Sequence, residues 1–141
     1  MIHLQLVTSK GTKFDSDVYE VLIPTQGGTI ALYENHMPLI SAGNAGLISV
    51  RKEASTGDDD MEHFAIAGGV IQIDGKTARF ISDDITTSEE VSEQEAAEAM
   101  ARAQEMMVAA ESRTALHEAK RMLQHSSAQL QLARLKKRHH R

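Results

Sequence analysis

The sequence contains no cysteine and no tryptophan, and only two tyrosines and three phenylalanines. The absence of cysteine excludes disulfide bonds, thiolate metal sites and a cysteine nucleophile. No run approaches the roughly 18 consecutive apolar residues that a membrane-spanning helix requires. Met1 leads straight into a strand-like pattern without a basic region or an apolar signal core, so we expect no signal or transit peptide. Any association with a membrane is therefore expected to come through partners.

Glycine and proline are confined to the first part of the chain. All nine glycines and both prolines lie within the first 75 residues. Glycine supplies turns with positive φ and proline disrupts helix interiors, so this segregation predicts a turn-rich first part and a helical second part. We place the boundary after residue 86, which gives domains of residues 1–86 and 87–141.

Short strand-like runs follow one another through the first part. Ile2, Leu4 and Leu6 alternate with other residues, which places them on one face of a strand. The further runs occupy residues 18–23, 29–33, 39–42, 47–52, 63–67, 70–73 and 77–82. The glycine-containing segments 43–46 and 68–69 between them are interpreted as turns or bulges. Many short strands separated by turns predict an antiparallel β-sandwich or barrel.

The second part carries two apolar stripes with helical spacing. The stripes consist of Ala96, Met100, Ala103, Met107 and Ala110, and of Leu116, Ala119, Leu123, Ser126, Leu130 and Ala133. A short break near residues 111–114 separates them, so we predict an antiparallel two-helix hairpin. Ser92 and Glu95 fit a capping box at the start of the first helix. The Ala-rich seam buries little apolar area, so we expect a marginal hairpin that can open or re-dock.

Charge is segregated along the helical part. Residues 83–98 contain seven acids and no Lys or Arg, whereas residues 113–141 contain eight bases and the single acid Glu118. The basic segment 136–141 allows contact with nucleic acid, an acidic protein surface or solvent alone. No Phe, Tyr or Trp lies among these basic residues, so no aromatic ring is available on which nucleobases could stack. We therefore predict no nucleic-acid partner.

Catalytic and metal-binding motifs are missing. The sequence has no Gly-x-Ser-x-Gly, no Walker loop and no His-Glu-x-x-His. Its histidines do not cluster at helical metal-ligand spacing, and they are His3, His36, His63, His117, His125, His139 and His140. The glycine pairs 27–28 and 68–69 do not open helices, as phosphate cradles would. We therefore predict no metal, no cofactor and no catalytic residue.

Three segments resemble those of a known family in order and spacing. Residues 24–39 resemble the family's G-E-x-G-I-x-P-G-H-x-P-L segment, residues 44–50 its K-P-G-x-v-x-V turn and strand, and residues 64–73 its F-x-x-s-G-G-f-l-E-V hairpin. With the Ala-rich hairpin that follows, the whole chain resembles the epsilon subunit of bacterial and plastid F-type ATP synthases, the counterpart of the mitochondrial delta subunit.

The resemblance implies a ten-stranded β-sandwich and two helices at the foot of a rotating central stalk. It implies that the sandwich binds the gamma subunit and the c-ring. The helices would either fold onto the sandwich or extend along gamma toward alpha and beta, where they restrain ATP hydrolysis. The protein would be a non-catalytic subunit of a proton-translocating complex, peripheral on the cytoplasmic face of a bacterial plasma membrane or on a plastid thylakoid.

The resemblance also implies site residues. The family's single loop that faces the c-ring corresponds to Gly28, Thr29, Glu34, Asn35 and His36. Thr29 replaces the family's Glu, and Glu34-Asn35 replace its Pro-Gly pair. Asn tolerates the left-handed conformation, so we expect the turn to be kept. The residues expected to contact an acidic surface of the beta subunit are Arg113, Lys120, Arg121, Arg134, Lys136, Lys137 and Arg138.

A nucleotide site known in some members is expected to be weak or absent here. Its I/L-D-x-x-R-A motif aligns with residues 91–96, where Ser92 replaces Asp and Glu95 replaces Arg. Arg102 matches another basic position, but one cation does not compensate for Glu95. Two alternatives to the subunit hypothesis remain: a free-standing β-sandwich adaptor that recruits a coiled-coil partner, and, in third place, an enzyme.

Overall fold

The computed structural model describes residues 1–139, so His140 and Arg141 of the predicted basic segment lie outside the described residues. The elements are β1 (Ile2–Thr8), β2 (Gly11–Val18), β3 (Glu20–Thr25), β4 (Gly28–Leu32), β5 (Leu39–Arg51), β6 (Glu62–Ile73), β7 (Thr77–Ile81), β8 (Ile85–Thr86), α1 (Glu93–Ala109) and α2 (Arg113–His139). A single 3-10 turn, Asp58–Asp60, interrupts the β5–β6 connection. The predicted order of a β domain followed by two helices is confirmed.

The strands form one eight-stranded sheet in the order β2-β1-β7-β6-β5-β3-β4, with β8 paired to β6 off this path. All pairs are antiparallel except β1 with β7, which is parallel. The sheet is therefore mixed rather than wholly antiparallel. Strand β2 was not predicted, because most of its side chains are polar and the strand lies at an edge of the sheet, where charged residues discourage further pairing.

The count of eight strands, against the ten implied by the resemblance, has its origin in two long strands. β5 and β6 pair from Leu39 with Ile73 to Val50 with Glu62, so each of them covers two of the predicted runs. Gly68 and Gly69 lie inside β6 with φ of 98° and 156°. Of the two interpretations of residues 43–46, the turn does not hold, since this segment continues β5, whereas the bulge fits, because the β5 partner steps from Ser49 to Gly43 between Leu22 and Thr25 of β3. The positive φ values of Gly68 and Gly69 likewise fit a bulge in β6.

One apolar core lies inside the folded sheet. Its fully or almost fully buried side chains come from all eight strands, and they are Ile2, Leu4, Leu6, Val18, Val21, Ile23, Leu32, Ile48, Val50, Phe64, Ile66, Ile71, Ile73, Ala78, Phe80 and Ile85. Ile2, Leu4 and Leu6 are buried on one face of β1, as the alternation predicted. No helix residue belongs to this cluster, so the β domain has a core of its own.

The helices begin and pack as the apolar stripes predicted. The side chain of Ser92 accepts a hydrogen bond from the Glu95 backbone N–H at 3.2 Å and caps α1. Ser112 accepts from the Ala115 N–H at 3.0 Å and caps α2, a second cap that the sequence analysis missed. The most buried positions of the two stripes are Ala96, Ala103, Ala119, Ser126 and Ala133. Small side chains thus dominate the contact between the helices.

Helix α2 also packs on the sheet. Ala128 and Leu132 form a second apolar cluster with Ala65 of β6, and Leu47 and Val91 lie against it. Leu132 is the one large, fully buried side chain that α2 contributes among the described residues. Burying a leucine stabilises by roughly 1.5–3 kcal/mol, so this interface is weak by comparison with the core. Because the hairpin rests on the sheet, the domain boundary after residue 86 stays a prediction.

Candidate functional site

The predicted ring-facing residues lie at the two ends of β4. Gly28 and Thr29 start the strand beside the β3–β4 turn, whereas Glu34, Asn35 and His36 follow its last residue. At about 3.3 Å per residue the strand holds these groups roughly 15 Å apart, so they do not form one loop. The single-loop description is therefore corrected to two separate turns.

The second turn, residues 34–36, has a well-defined conformation. Asn35 adopts φ of 63°, which is the left-handed region that the sequence analysis expected it to tolerate. Its backbone N–H donates to the Gly75 carbonyl at 2.8 Å. Glu34 accepts from the N-terminal ammonium of Met1 at 3.1 Å. His36 is half-buried and its Nδ1 lies 2.8 Å from the Met37 carbonyl oxygen. The turn is thus tied to both the N-terminus and the β6–β7 connection.

A cluster of polar side chains supports the start of this turn. Glu20 is buried, and it accepts hydrogen bonds from the Tyr33 hydroxyl and, at 3.1 Å, from Nε of Arg51. Arg51 also binds Asp58 at 2.5 Å. The bond to the Glu20 carboxylate raises the pKa of Tyr33, because it favours the protonated phenol. Tyr33 is therefore held in place immediately before Glu34.

An exposed apolar surface lies on the outward face of four strands. In the sheet register Ala42 pairs with Val70, Val70 with Ile81, and Ile81 with Val7, so their side chains share one face. Ile40 lies on the same face, two residues from Ala42. The exposed fractions are 74% for Ile40, 41% for Val70 and 40% for Ile81. We call Val7, Ile40, Ala42, Val70 and Ile81 the apolar face.

Sequence reasoning missed the apolar face, although a signal was present. Leu39–Ile40, Val70–Ile71 and Phe80–Ile81 are adjacent apolar pairs within strands. A strand with one solvated face alternates apolar and polar residues, so adjacent pairs indicate that both faces meet apolar surroundings. Met37, which is 79% exposed, extends the apolar character toward the turn at residues 34–36.

The bases predicted to contact an acidic surface are spread along α2. From Arg113 to Arg138 the helix extends roughly 38 Å at 1.5 Å per residue. Lys137 forms an ion pair with Glu93 of α1, and Arg121 pairs with Glu118 at 3.1 Å. Within residues 1–139, Arg113 and Lys120 form no ion pair and are exposed. These residues therefore form three groups along the helix rather than one patch.

A groove of about 680 Å³ separates the C-terminal end of α2 from the β5–β6 connection. Lys136 and Arg138 line one side, and the acids of the 3-10 turn, Asp58–Asp60, line the other. Arg134 is exposed and lies close enough to Glu93 to help lower the pKa of that carboxyl. Opposite charges thus face each other across the groove while the hairpin is docked.

The predicted nucleotide positions do not converge on an anion site. The Ser92 side chain is engaged as the cap of α1, and Glu95 and Arg102 are exposed on that helix. Glu95 follows the cap and favours the helix start through the macrodipole. Weak or absent nucleotide binding stays a prediction.

The histidines are dispersed over the fold. His3 lies between Asp15, at 2.5 Å from Nε2, and Asp17, at 2.7 Å from Nδ1, and hydrogen bonds to these carboxylates raise its pKa. His63 binds Ser49 Oγ at 2.7 Å, and burial lowers its pKa. Over residues 1–139, no three His, Asp or Glu side chains are placed to hold a metal ion.

The fold has two parts, a β-sandwich with an exposed apolar face and a helical hairpin that packs on Ala65 and Leu47 of the sheet. The profile of the family described as "ATP synthase, Delta/Epsilon chain, beta-sandwich domain" matches residues 1–88. The chain therefore belongs to the delta/epsilon family of ATP synthase subunits. Within residues 1–139, no helix is both long and apolar enough to cross a membrane.

Relatives cover the helices as well as the sandwich. The chain is 25% identical to the chloroplastic ATP synthase epsilon chain of Psilotum nudum over 93% of this chain and 95% of that one. It is 26% identical to the ATP synthase epsilon chain of Staphylococcus aureus (strain JH9) over 96% of this chain and 98% of that one. It is 30% identical to the epsilon chain of Sulfurihydrogenibium over 64% and 65% of the two chains.

Solved structures share the fold at low sequence identity. A chain of the Euglena gracilis mitochondrial ATP synthase, from a structure of its OSCP, F1 and c-ring, superimposes with a TM-score of 0.73 at 16% identity, covering 90% of this chain and 78% of that one. A chain from the central stalk and c-ring of the Tetrahymena thermophila enzyme gives 0.51 at 12% identity, covering 63% and 68%. These matches support the fold alone.

Proposed function

We propose that this chain is a non-catalytic central-stalk subunit of a proton-translocating F-type ATP synthase. Its β domain joins the gamma subunit to the c-ring and so couples ring rotation to ATP synthesis. Its helices restrain ATP hydrolysis when they extend toward alpha and beta. The complex holds it on the cytoplasmic face of the bacterial plasma membrane, or on a plastid thylakoid. The epsilon-chain names of its relatives support this role.

The apolar face is the observation that carries the proposal. Isolated exposed apolar residues are ordinary, but neighbouring strands here place several on one surface. A coupling subunit must hold its partner while the rotor turns, and an apolar interface core with a polar rim provides that adhesion. Gln72 pairs with Ile40 on one side and with Arg79 on the other in the sheet register, which supplies a polar border. We assign this surface to gamma and the exposed turns at the ends of β4 to the c-ring.

Substitution of Val70 by Asp is expected to abolish stable assembly with gamma. Burial of a valine in an interface stabilises by about 1.5–3 kcal/mol, and a buried carboxylate without a partner costs more. We expect affinity for gamma to fall on the order of 100-fold or more. Co-purification of gamma and c subunits with the tagged full-length chain measures the effect. The side chain points outward, so the β domain should remain folded.

Met122→Asp is the matched control for this substitution. Met122 is 40% exposed, almost the same as Val70, but lies on α2 and not on a strand that carries the apolar face. Retention of gamma by Met122→Asp and its loss by Val70→Asp would support the assignment. If Val70→Asp holds gamma as tightly as the unmodified chain does, the apolar face is not the contact. Recovery of a different coiled-coil protein by the unmodified chain would favour the adaptor hypothesis.

Deletion of residues 92–141 is expected to raise ATP hydrolysis by the assembled complex several-fold. The core contains no helix residue, so the truncated β domain should fold and assemble. ATPase activity of purified complexes with full-length and truncated chains measures the effect at equal subunit content. Unchanged activity in a fully assembled complex would contradict the restraining role of the helices. It would leave the coupling role of the β domain intact.

A further inference from the structure

Three acids between the end of β7 and the first residue of α1 contact basic side chains elsewhere in the fold. Asp84 Oδ2 lies 2.9 Å from Nε2 of His125. Glu90 lies 2.9 Å from Nζ of Lys13 on β2, and Glu93 pairs with Lys137. These contacts lower the pKa values of Glu90 and Glu93, with Lys13 and Lys137 respectively as the main cause. Three acids that are close in sequence thus reach partners on two different elements.

Two of the three contacts hold α2. His125 and Lys137 are twelve positions apart, which places their contacts roughly 18 Å apart along the helix axis. Between them, Gln129 Nε2 donates to Thr86 Oγ1 at 3.0 Å, and Ala128 and Leu132 pack on Ala65. The polar contacts at either end therefore bracket a small apolar interface. The third pair, Lys13 with Glu90, fixes the segment before α1 to the sandwich. It therefore holds the backbone that carries Glu93 close to the sheet.

We propose that Asp84 and Glu93 form an acid latch, an internal acidic surface that keeps α2 docked by holding the same helix that an acidic partner would bind. Lys137 belongs both to the latch and to the residues expected to contact a partner. When α2 undocks, Lys137 therefore exchanges the carboxylate of Glu93 for those of the acidic partner and is not left unpaired. The competition rests on the proposed function, whereas the latch itself requires only this chain.

The exposure of the latch predicts that it is weak enough to open. Asp84 is 56% exposed and Lys137 is 69% exposed, whereas His125 is 16% exposed. Within residues 1–139, Nδ1 of His125 is buried without a hydrogen-bond partner, so the docked ring leaves one polar atom unsatisfied. Polar contacts and ion pairs at such exposed positions shift an equilibrium by roughly a few-fold each, and the Glu93–Lys137 ion pair is screened by salt. Together the two contacts should shift docking on the order of tenfold.

Charge exchange in the full-length chain tests the latch. Because the chain has no native cysteine, single cysteines at the exposed positions Ser16 and Gln131 can carry spin labels that report the distance between the sandwich and α2. We expect Glu93→Lys to increase the undocked population about tenfold, and the double variant Glu93→Lys with Lys137→Glu to restore docking to within about twofold. Asp84→Asn should release the helix a few-fold.

Glu95→Lys is the matched control, since it makes the same charge change in the first turn of α1 at a residue outside the latch. An equal effect of Glu95→Lys and Glu93→Lys, or failure of the double variant to restore docking, would overturn the latch. These distances are measured without other subunits, so that result is independent of whether the chain assembles with gamma. In the assembled complex Glu93→Lys should restrain ATP hydrolysis more than the unmodified chain, and equal restraint would overturn the competition.

Discussion

Replacement of Gly69 by alanine should lower the free energy of unfolding of the β domain by about 3–4 kcal/mol. A Cβ at this position would lie 2.1 Å from the carbonyl oxygen of Ile81 and 3.1 Å from Cε1 of Phe80. The residue also has φ of +156°, a backbone conformation that residues other than glycine rarely adopt. The oxygen belongs to the backbone of β7, so rotation of a side chain cannot relieve the clash. Urea-induced unfolding followed by circular dichroism measures the loss.

Gly57→Ala provides the comparison. Gly57 has φ of −73°, and the nearest atom to its added Cβ is Asp60 Oδ2 at 3.9 Å. Its replacement should leave stability within about 0.5 kcal/mol or raise it slightly through the unfolded chain. A cost below about 1 kcal/mol for Gly69→Ala would show that β6 and β7 separate easily at this point.

Truncation of Phe64 to alanine is expected to cost about 3–5 kcal/mol of unfolding free energy. The ring is 1% exposed and lies at 5.5 Å from the ring of Phe14 in an edge-to-face arrangement. Its removal leaves a cavity in the core of the β domain and ends the aromatic contact. Thermal and urea unfolding of the full-length chain would measure the change.

Phe14→Ala separates the two contributions to this cost. It ends the same aromatic contact, but Phe14 is only partly buried, so we expect less than half the loss seen for Phe64→Ala. Equal losses for the two variants would mean that the ring pair, and not the buried volume, determines the effect. The burial of Phe64 in the core would then contribute little to the measured loss.

Helical periodicity made the second part of the chain predictable. Ala96, Ala103 and Ala119 are buried where the stripes placed them, and Ser92 caps α1. These features depend on local spacing, which the sequence states directly. The docking of α2 on Ala65 and Leu47 depends on residues far apart in the chain, and no local pattern specified it.

Glycine was the weaker guide in the first part. Glycine occurs both in turns that end a strand and in bulges within a strand. The sequence therefore could not decide between a turn and a bulge for segments 43–46 and 68–69. Polar β2 was missed because a strand at the edge of the sheet with exposed side chains lacks apolar alternation. The resemblance identified the family. The apolar face could be found only from the sheet register, because the sequence does not show which apolar residues of a strand point to the core and which point outward.

The parallel pairing of β1 with β7 has a consequence for synthesis of the chain on the ribosome. Gln5 and Arg79, which bond across these strands at 3.1 Å, are 74 residues apart. The sheet therefore closes only after β7 has emerged. Until then Ile2, Leu4 and Leu6 of β1 lack their contacts with the β7 core residues Ala78 and Phe80. Long-range pairing of this kind slows folding and prolongs exposure to aggregation. The helices are translated after the strands, so the surface on which α2 docks exists before the helix itself.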